Sequence, residues 1–76
     1  MKEEDYNKLY DAQSRGKKVR GKKFDGTWSL SGTIEAGMGH DVPQAGVRLG
    51  VYDEEGIKTS DEYLMFDDIE EIEVCE

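Results

Sequence analysis

The chain has 76 residues, of which 18 are acidic and 10 are basic, so its formal net charge is -8 at pH 7. A chain of this length has room for one hydrophobic core, which predicts a single domain over residues 1–76 and excludes a cleft between two domains. Its stability is expected to be small, on the order of 3–5 kcal/mol. The acidic balance disfavours nucleic acid as a partner unless the basic residues gather on one face.

The sequence contains one cysteine, Cys75, which excludes an internal disulfide. It has no signal-peptide pattern and no apolar run that approaches the ~20 residues of a membrane span. We therefore expect a cytoplasmic protein that does not bind membranes. We expect Cys75 to be an ordinary strand residue rather than a nucleophile, because no basic residue is near it in the sequence.

Residues 2–15 are predicted to form a helix that ends at Gly16. The first turn holds three acidic residues and the last turn holds a basic one, an arrangement that suits the helix macrodipole. Tyr6, Leu9 and Tyr10 recur at helical spacing and form one narrow apolar stripe. Such a stripe is too small to stabilise an isolated helix, so we expect the helix to pack against a sheet.

Five strands are predicted after the helix, because short runs of alternating apolar and polar residues are separated by glycine-containing turns. This pattern predicts a mainly β fold of the α+β class. We expect one N-terminal helix and a five-stranded, strongly bent antiparallel small barrel, closed on itself. The predicted strands are residues 17–24, 27–36, 46–53 and 57–65, with a fifth that includes Ile72 and Val74.

The first hairpin has the clearest local signals. Asp25 and Gly26 predict a two-residue turn of type I′, which needs positive φ at both positions. The second strand alternates strictly, which predicts that Trp28 lies in the core. Gly32 falls on the same apolar side, where a glycine usually marks a bend at a barrel corner.

The later strands follow the same logic. Val47 and Leu49 are predicted to point inward from the third strand, with Arg48 pointing outward. Residues 37–45 are expected to form an irregular loop. A short turn is expected between the fourth and fifth strands, with Asp67 or Asp68 capping it.

Three stretches of the chain are distinctive: Phe24-Asp25-Gly26, Leu30-Ser-Gly-Thr-Ile34 and Leu64-Met-Phe-Asp-Asp-Ile-Glu-Glu-Ile-Glu-Val74. On these stretches the chain resembles the YolD-like family of small bacterial and phage-borne proteins, and the order of its elements resembles that of the Sm-like and SH3-like small barrels. The resemblance implies a cytoplasmic protein of a bacterial host cell. Sm-like proteins form rings in which the fourth strand of one subunit pairs with the fifth strand of the next, so a homo-oligomer is implied as well, and many of them bind RNA.

Charge is distributed unevenly along the chain. Six of the ten basic residues lie close together without an intervening acid, and the last sixteen residues contain eight acids and no base. Two interpretations remain open: the first and fifth strands pair and neutralise each other, or the acidic strand forms an exposed binding face. The basic group is Arg15, Lys17, Lys18, Arg20, Lys22 and Lys23; the acidic group is Asp61, Glu62, Asp67, Asp68, Glu70, Glu71, Glu73 and Glu76.

Nothing in the sequence combines a nucleophile with a base and an orienting group, so we predict a protein that is not an enzyme and needs no cofactor. His40 and Asp41 lack the further ligands that a metal site requires. The acids at positions 67–71 do not have the alternate spacing and central glycine of a calcium-binding loop. No catalytic residue and no metal ligand is therefore predicted.

The first functional hypothesis is a non-catalytic binding or regulatory protein that acts on a protein partner with a basic surface. A regulator carried by a phage or mobile element, or an inhibitor of host defence, would fit the small size, the charge and the resemblance. Tyrosines and acids would supply the contacts. The predicted protein-binding residues are Tyr63, Asp67, Asp68, Glu70, Glu71 and Glu73.

Two alternatives belong to other classes. One is an oligomeric protein that sequesters a nucleotide-like small molecule, with phosphates held by basic side chains and a glycine-rich loop. The other is an Sm-like nucleic-acid binder, which the net charge makes the least favoured. The predicted ligand-binding residues of the first alternative are Arg20, His40, Gln44 and Arg48.

Overall fold

The structure, a computed structural model, describes residues 1–37 and 46–75. Five antiparallel strands form one sheet in the order β4-β3-β2-β1-β5, so the predicted helix and five-stranded sheet are confirmed. The α-helix of these ranges is not long and apolar enough to cross a membrane. The elements are α1 (Glu3–Arg15), β1 (Lys18–Lys23), β2 (Gly32–Gly37), β3 (Gly46–Tyr52), β4 (Lys58–Met65), a 3₁₀ helix (Phe66–Asp68) and β5 (Ile69–Cys75).

Helix α1 ends as predicted at Gly16, which has a left-handed φ of 66°. Its buried face, however, consists of Asp5, Leu9 and Ala12. Tyr10, which was expected on the apolar stripe, is exposed instead. The fully buried side chains of the helix are thus two apolar residues and one carboxylate.

The core lies between α1 and the inner face of the sheet. The alternation of β3 is confirmed, because Val47 and Leu49 are buried and Arg48 is directed to the opposite face. Burial of each Leu, Ile or Val side chain contributes roughly 1.5–3 kcal/mol. The buried apolar residues are Leu9, Ala12, Val19, Val47, Leu49, Leu64, Ile69 and Ile72.

The hairpin that follows β1 has a three-residue loop, so the predicted two-residue turn is wrong. The Lys23 N–H donates to the Thr27 carbonyl at 2.7 Å, and the Gly26 N–H donates to the Lys23 carbonyl at 2.9 Å. Gly26 has a φ of 91°, which supplies the left-handed residue that closes a three-residue loop. Phe24 consequently lies at the tip of the hairpin rather than in β1.

Strand β2 begins at Gly32, so the predicted strand over residues 27–36 is too long. Ser29 is the cause. Its N–H donates to the Gly21 carbonyl at 2.8 Å, but its hydroxyl rather than a backbone carbonyl accepts the Gly21 N–H, at 2.9 Å. A side chain that takes the place of a ladder carbonyl interrupts the regular pairing of the strands.

Trp28 and Leu30 lie outside the core, and the prediction that Trp28 is buried is wrong. Their side chains are 36% and 55% exposed. Trp28 forms an isolated bridge with Lys22, and the Leu30 N–H donates to the Glu62 carboxylate at 3.2 Å. The backbone of this segment is thus held in place while its two large apolar side chains stay outside the core.

The turn before β5 is not capped by a side chain, so the prediction that Asp67 or Asp68 caps it is wrong. Phe66 anchors the turn instead. Its ring meets the Tyr6 ring of α1 edge to face, with the ring centroids 5.2 Å apart. Both aspartates are therefore left exposed.

The two edges of the sheet differ. At the β5 edge, the Ile72 N–H donates to Asp5 Oδ1 at 3.0 Å, and Lys8 Nζ donates to the Ile72 carbonyl at 3.3 Å. Helix α1 thus satisfies the edge groups that another strand would bind. Within the described residues no ladder joins β4 to β5, so the predicted closure of the barrel is not observed. Pairing of β5 with a neighbouring subunit would have to displace the two bonds at Ile72.

Candidate protein-binding surface

Strands β1 and β5 lie side by side, and the charges that they carry meet. Arg20 is opposite Glu73, and Lys22 is opposite Glu71. Arg20 Nη2 is 2.9 Å from Glu73 Oε1, and Lys22 Nζ is 3.9 Å from Glu71 Oε1. Of the two interpretations of the charge pattern, neutralisation therefore holds for Glu71 and Glu73.

The acidic residues that come just before Glu71 in the chain are not neutralised in this way. Asp67, Asp68 and Glu70 are all exposed. None takes part in an ion pair with another residue of the described ranges. The uncompensated part of the predicted acidic face is therefore the turn into β5 and the start of that strand.

The tip of the first hairpin lies next to this turn. Lys23, the residue before Phe24, is opposite Ile69, the residue that follows the 3₁₀ helix. Phe24 is 64% exposed. We call the combined region the hairpin–turn surface; its residues are Phe24, Trp28, Asp67, Asp68 and Glu70.

Trp28 extends this surface onto the outer face of β1 and β5. The Arg20 guanidinium carbon lies 4.3 Å from the centroid of the Trp28 ring, within the range of a cation–π contact. The same guanidinium donates from Nε to Glu73 Oε1 at 3.0 Å. The Arg20 guanidinium thus lies over an indole ring and bonds to a carboxylate of the neighbouring strand.

An open groove of about 360 Å³ runs along β5 beside this cation–π contact. Four consecutive residues of the strand line it together with Trp28 and with Lys8 of α1. The groove therefore joins an aromatic ring, two carboxylates and the edge of a strand. Its lining residues are Lys8, Trp28, Glu71, Ile72, Glu73 and Val74.

Tyr63 was predicted to act with the acidic residues, and the structure places it elsewhere. It is exposed on β4, opposite Arg48 of β3. Strands β4 and β5 are at opposite ends of the strand order. Tyr63 is therefore not part of the hairpin–turn surface.

The residues predicted to hold a nucleotide-like ligand are not brought together by the described part of the chain. Arg20 is engaged with Trp28 and Glu73 at the end of the sheet next to β5. Arg48 is opposite Ala36, and its Nε is buried without a hydrogen-bond partner among the described atoms. His40 and Gln44 lie outside the described residues.

A polar network on the outer face of β2, β3 and β4 was not predicted. Lys58 Nζ lies 2.8 Å from Glu35 Oε1 and 2.6 Å from Asp61 Oδ1, and the Tyr52 hydroxyl donates to the Glu35 carboxylate. The Glu35 carboxylate occupies the space that a Cβ on Gly50 would take. The network joins three strands, so we interpret it as a stabilising element of the sheet.

The sequence carries little signal for this network. Glu35 lies at an irregularity in the register between β2 and β3. The alternation of the sequence therefore does not predict which residues of β3 and β4 lie next to the Glu35 side chain. The hydrogen bond from Lys58, and then that from Tyr52, lowers the pKa of the Glu35 carboxyl below its ordinary value of 4.5. The bond to Glu35 in turn raises the pKa of Tyr52.

The Glu35→Gln variant is expected to be less stable than the wild type at pH 7, and the difference should be smaller at pH 3. A carboxyl whose pKa is lower in the folded state stabilises the fold above its unfolded pKa, and this stabilisation is lost as the pH falls through the folded pKa. Urea unfolding of the wild type and the variant at both pH values measures the difference in their free energies of unfolding. Glu55→Gln, in the exposed turn between β3 and β4, is the control. A difference that persists unchanged at pH 3 would contradict the role of the ionised carboxylate.

Across residues 1–37 and 46–75, no three His, Cys, Asp or Glu side chains converge in a way that could hold a metal ion. The chain matches no protein-family model, no curated protein and no solved structure. The similarity to the YolD-like family accordingly stays a prediction from the residues quoted above. The interpretation of the surface depends on its geometry.

Proposed function

We propose that the chain is a non-catalytic binding protein that docks on a basic surface of a protein partner through the hairpin–turn surface. The observation that carries the proposal is the exposure of Phe24 and Trp28, on the hairpin that follows β1, while the neighbouring strand β5 and the turn before it carry uncompensated acids. Aromatic side chains are enriched at the centres of protein interfaces and among the residues that dominate binding energy. Their concentration on one hairpin of a 76-residue chain supports a binding role over a purely structural one.

The charge of the surface supports a basic partner. Asp67, Asp68 and Glu70 flank the apolar hairpin, and the whole chain carries a net charge of -8. Complementary charges steer the encounter of two proteins and suppress wrong partners, and added salt weakens this effect. The same charges disfavour nucleic acid, which repels an acidic surface.

The finer proposal is a regulator carried by a phage or mobile element, or an inhibitor of host defence. The small size, the acidic charge and the resemblance to phage-borne barrels support it. Occupation of a basic functional surface on a host protein would be the corresponding mechanism.

The double variant Asp67→Lys/Asp68→Lys is expected to reduce capture of the partner by about tenfold or more, because two attractive contacts become repulsive. The matched control is Glu54→Lys/Glu55→Lys, which makes the same change of charge in the exposed turn between β3 and β4. Tagged wild-type and variant proteins are incubated with lysates of bacterial cells, and the bound proteins are quantified by mass spectrometry. Equal losses in both double variants, or a partner retained equally by all three proteins, would overturn the proposed surface.

The structure also shows why Glu71 and Glu73 are unsuitable for this first test. Each faces a basic residue of β1, so reversing its charge would place like charges opposite each other within the sheet. A loss of binding in such a variant would not separate a contact from a damaged fold. Phe24→Ser is a better second variant, because the side chain projects from the tip of the hairpin.

A further inference from the structure

The outer edge of β4 is not covered by the described part of the chain. This strand is the last of the strand order and pairs only with β3, so every second residue directs its backbone N–H and carbonyl away from the sheet. Among the described residues, no side chain forms a hydrogen bond with the backbone of residues 61–65. The edge of β5 differs, because Asp5 and Lys8 engage the N–H and the carbonyl of Ile72. An incoming strand therefore finds free backbone groups at β4, whereas at β5 it would have to displace those two bonds.

The two halves of β4 differ in how they are protected against pairing with another strand. The first half carries Lys58 and lies against an irregularity in the register between Val51 and Tyr52 of β3. Lysines and bulges are among the devices by which natural edge strands avoid pairing. Residues 60–65, in contrast, keep a regular register with β3 and contain neither a basic residue nor a proline. The second half of the strand is thus the open part of the edge.

The two acidic side chains of this second half are engaged within their own chain. Asp61 Oδ1 lies 2.6 Å from Lys58 Nζ, and Glu62 Oε2 accepts the Leu30 N–H at 3.2 Å. The negative charge that they add to the edge is therefore partly compensated. Tyr63 follows them and is 62% exposed. The open part of the edge thus has a large aromatic side chain at its centre, and aromatic residues are enriched where proteins associate.

We propose that β4 pairs with β4 of a second copy of the chain, antiparallel and centred on Tyr63, so that two five-stranded sheets become one continuous sheet. In a symmetric antiparallel pair, the two-fold axis passes between one residue and its own copy, because hydrogen-bonded and non-hydrogen-bonded pairs alternate along the ladder. The residue on the axis therefore determines the whole register.

The sequence of β4 excludes the other positions of the axis. An axis at Asp61 or Glu62 would place a carboxylate directly opposite its own copy, which is destabilising. An axis at Ser60 would extend the ladder into the irregular part of the strand. An axis at Leu64 would leave only three residues of each strand in the ladder, because β4 ends at Met65.

An axis at Tyr63 avoids these costs. It pairs residues 61–65 of the two copies, with the tyrosine rings opposite each other and each acid opposite an apolar residue. Aromatic pairs across neighbouring strands stabilise a sheet. The hairpin–turn surface adjoins β5, at the other end of the strand order, so the dimer does not depend on the proposed function.

Disulfide cross-linking tests the register. In the variant Tyr63→Cys/Cys75→Ser, the two thiols lie on the axis, where opposite Cα atoms are about 4.5–5.5 Å apart, a separation that a disulfide spans. Diamide, which oxidises two thiols to a disulfide, should convert the folded variant into a covalent dimer. In the control Asp61→Cys/Cys75→Ser, the two cysteines are offset by roughly 13 Å along the strands and should cross-link far more slowly. Equal cross-linking of the two variants would overturn the register.

Sedimentation equilibrium tests the dimer itself. One pair of edge strands buries a small area, so a weak dimer is expected. The variant Tyr63→Lys places two like charges opposite each other on the axis and should raise the dissociation constant by about tenfold or more. Tyr10→Lys makes the same change at an exposed position of α1 and is the control, and circular dichroism checks that both variants fold. A wild type that stays monomeric up to about 1 mM, or equal dissociation constants for the two variants, would overturn the proposal.

Ionic strength separates this dimer from the proposed binding function. Each copy carries a net charge of -8, so the copies repel each other and added salt should strengthen the dimer. Capture of a basic partner should weaken under the same change. A dimer that dissociates as salt is added would contradict an interface that contains no ion pair between copies. If the wild type is monomeric but Asp67→Lys/Asp68→Lys still abolishes capture, the dimer is wrong and the proposed function stands.

Discussion

Replacement of Gly32 with alanine is expected to lower the free energy of unfolding by about 1–3 kcal/mol, a large part of the stability available to a chain of this size. An alanine Cβ at this position would lie 2.5 Å from the Gly50 carbonyl oxygen and 3.1 Å from Leu49 Cβ. Both groups belong to β3, whose backbone cannot rotate away as a side chain could. Strands β2 and β3 would have to separate locally, which disturbs the core contacts of Leu49.

Gly21→Ala is the matched control for this prediction. A Cβ at Gly21 would meet side chains only, with Ile69 Cδ1 at 3.0 Å and Leu64 Cδ1 at 3.3 Å. These flexible ends can adjust, so the loss of stability should be smaller. Urea denaturation of the two variants and the wild type provides the comparison. Equal stability of the two variants would show that the approach of β2 to β3 does not require glycine.

Replacement of Asp5 with alanine is expected to cost about 1–3 kcal/mol, because it leaves a buried donor without an acceptor. Asp5 is 2% exposed, and its two carboxylate oxygens accept the Ile72 N–H at 3.0 Å and the Lys2 N–H at 3.2 Å. The first bond attaches α1 to the edge of β5, and the second holds the first turn of α1. Loss of the carboxylate therefore weakens the helix and its attachment together.

The measurement that separates these effects is hydrogen exchange of the Ile72 amide alongside urea denaturation. Asp5→Ala should accelerate exchange at Ile72, whereas Asp5→Asn keeps an oxygen acceptor and should recover part of the protection. Glu4→Ala, at an exposed position of the same turn, is the control. An alanine variant as stable as the asparagine variant would contradict the role assigned to the carboxylate.

The parts of the fold that the sequence predicted correctly are those set by local rules. Gly16 ends α1 because a left-handed residue there costs glycine little. Val47 and Leu49 are buried because a strand with one solvated face must alternate. These signals depend on residues close together in the chain, so a single sequence contains them.

Other parts depended on partners that local rules do not identify. Trp28 was assigned to the core because the alternation was assumed to be continuous, whereas the hydroxyl of Ser29 breaks the ladder. In the sequence, Asp5 is one of three acids in the first turn of a helix, and nothing marks it as buried. Its hydrogen bond to the Ile72 N–H joins residues that are 67 positions apart. The polar network around Glu35 likewise depends on a register irregularity that the sequence does not reveal.

The candidate site was predicted in part. The acids of the last strand were identified, but their division into paired and uncompensated groups required the register of β1 with β5. The contribution of the hairpin was missed altogether, because exposed aromatics in an alternating segment resemble core residues. The exposure of Phe24 and Trp28 is a property of the folded chain rather than of the pattern.

The pairing of a basic strand with an acidic one also affects which strands can associate by mistake. Before β1 and β5 meet, each presents an unpaired edge of the kind that promotes aggregation. A β1–β1 pair would bring lysines and arginines together, and a β5–β5 pair would bring glutamates together, so both are electrostatically unfavourable. The ion pairs of Arg20 with Glu73 and of Lys22 with Glu71 thus favour the native partner over copies of the same strand. Charge that contributes modestly to the stability of the finished sheet can protect the incomplete one from self-association.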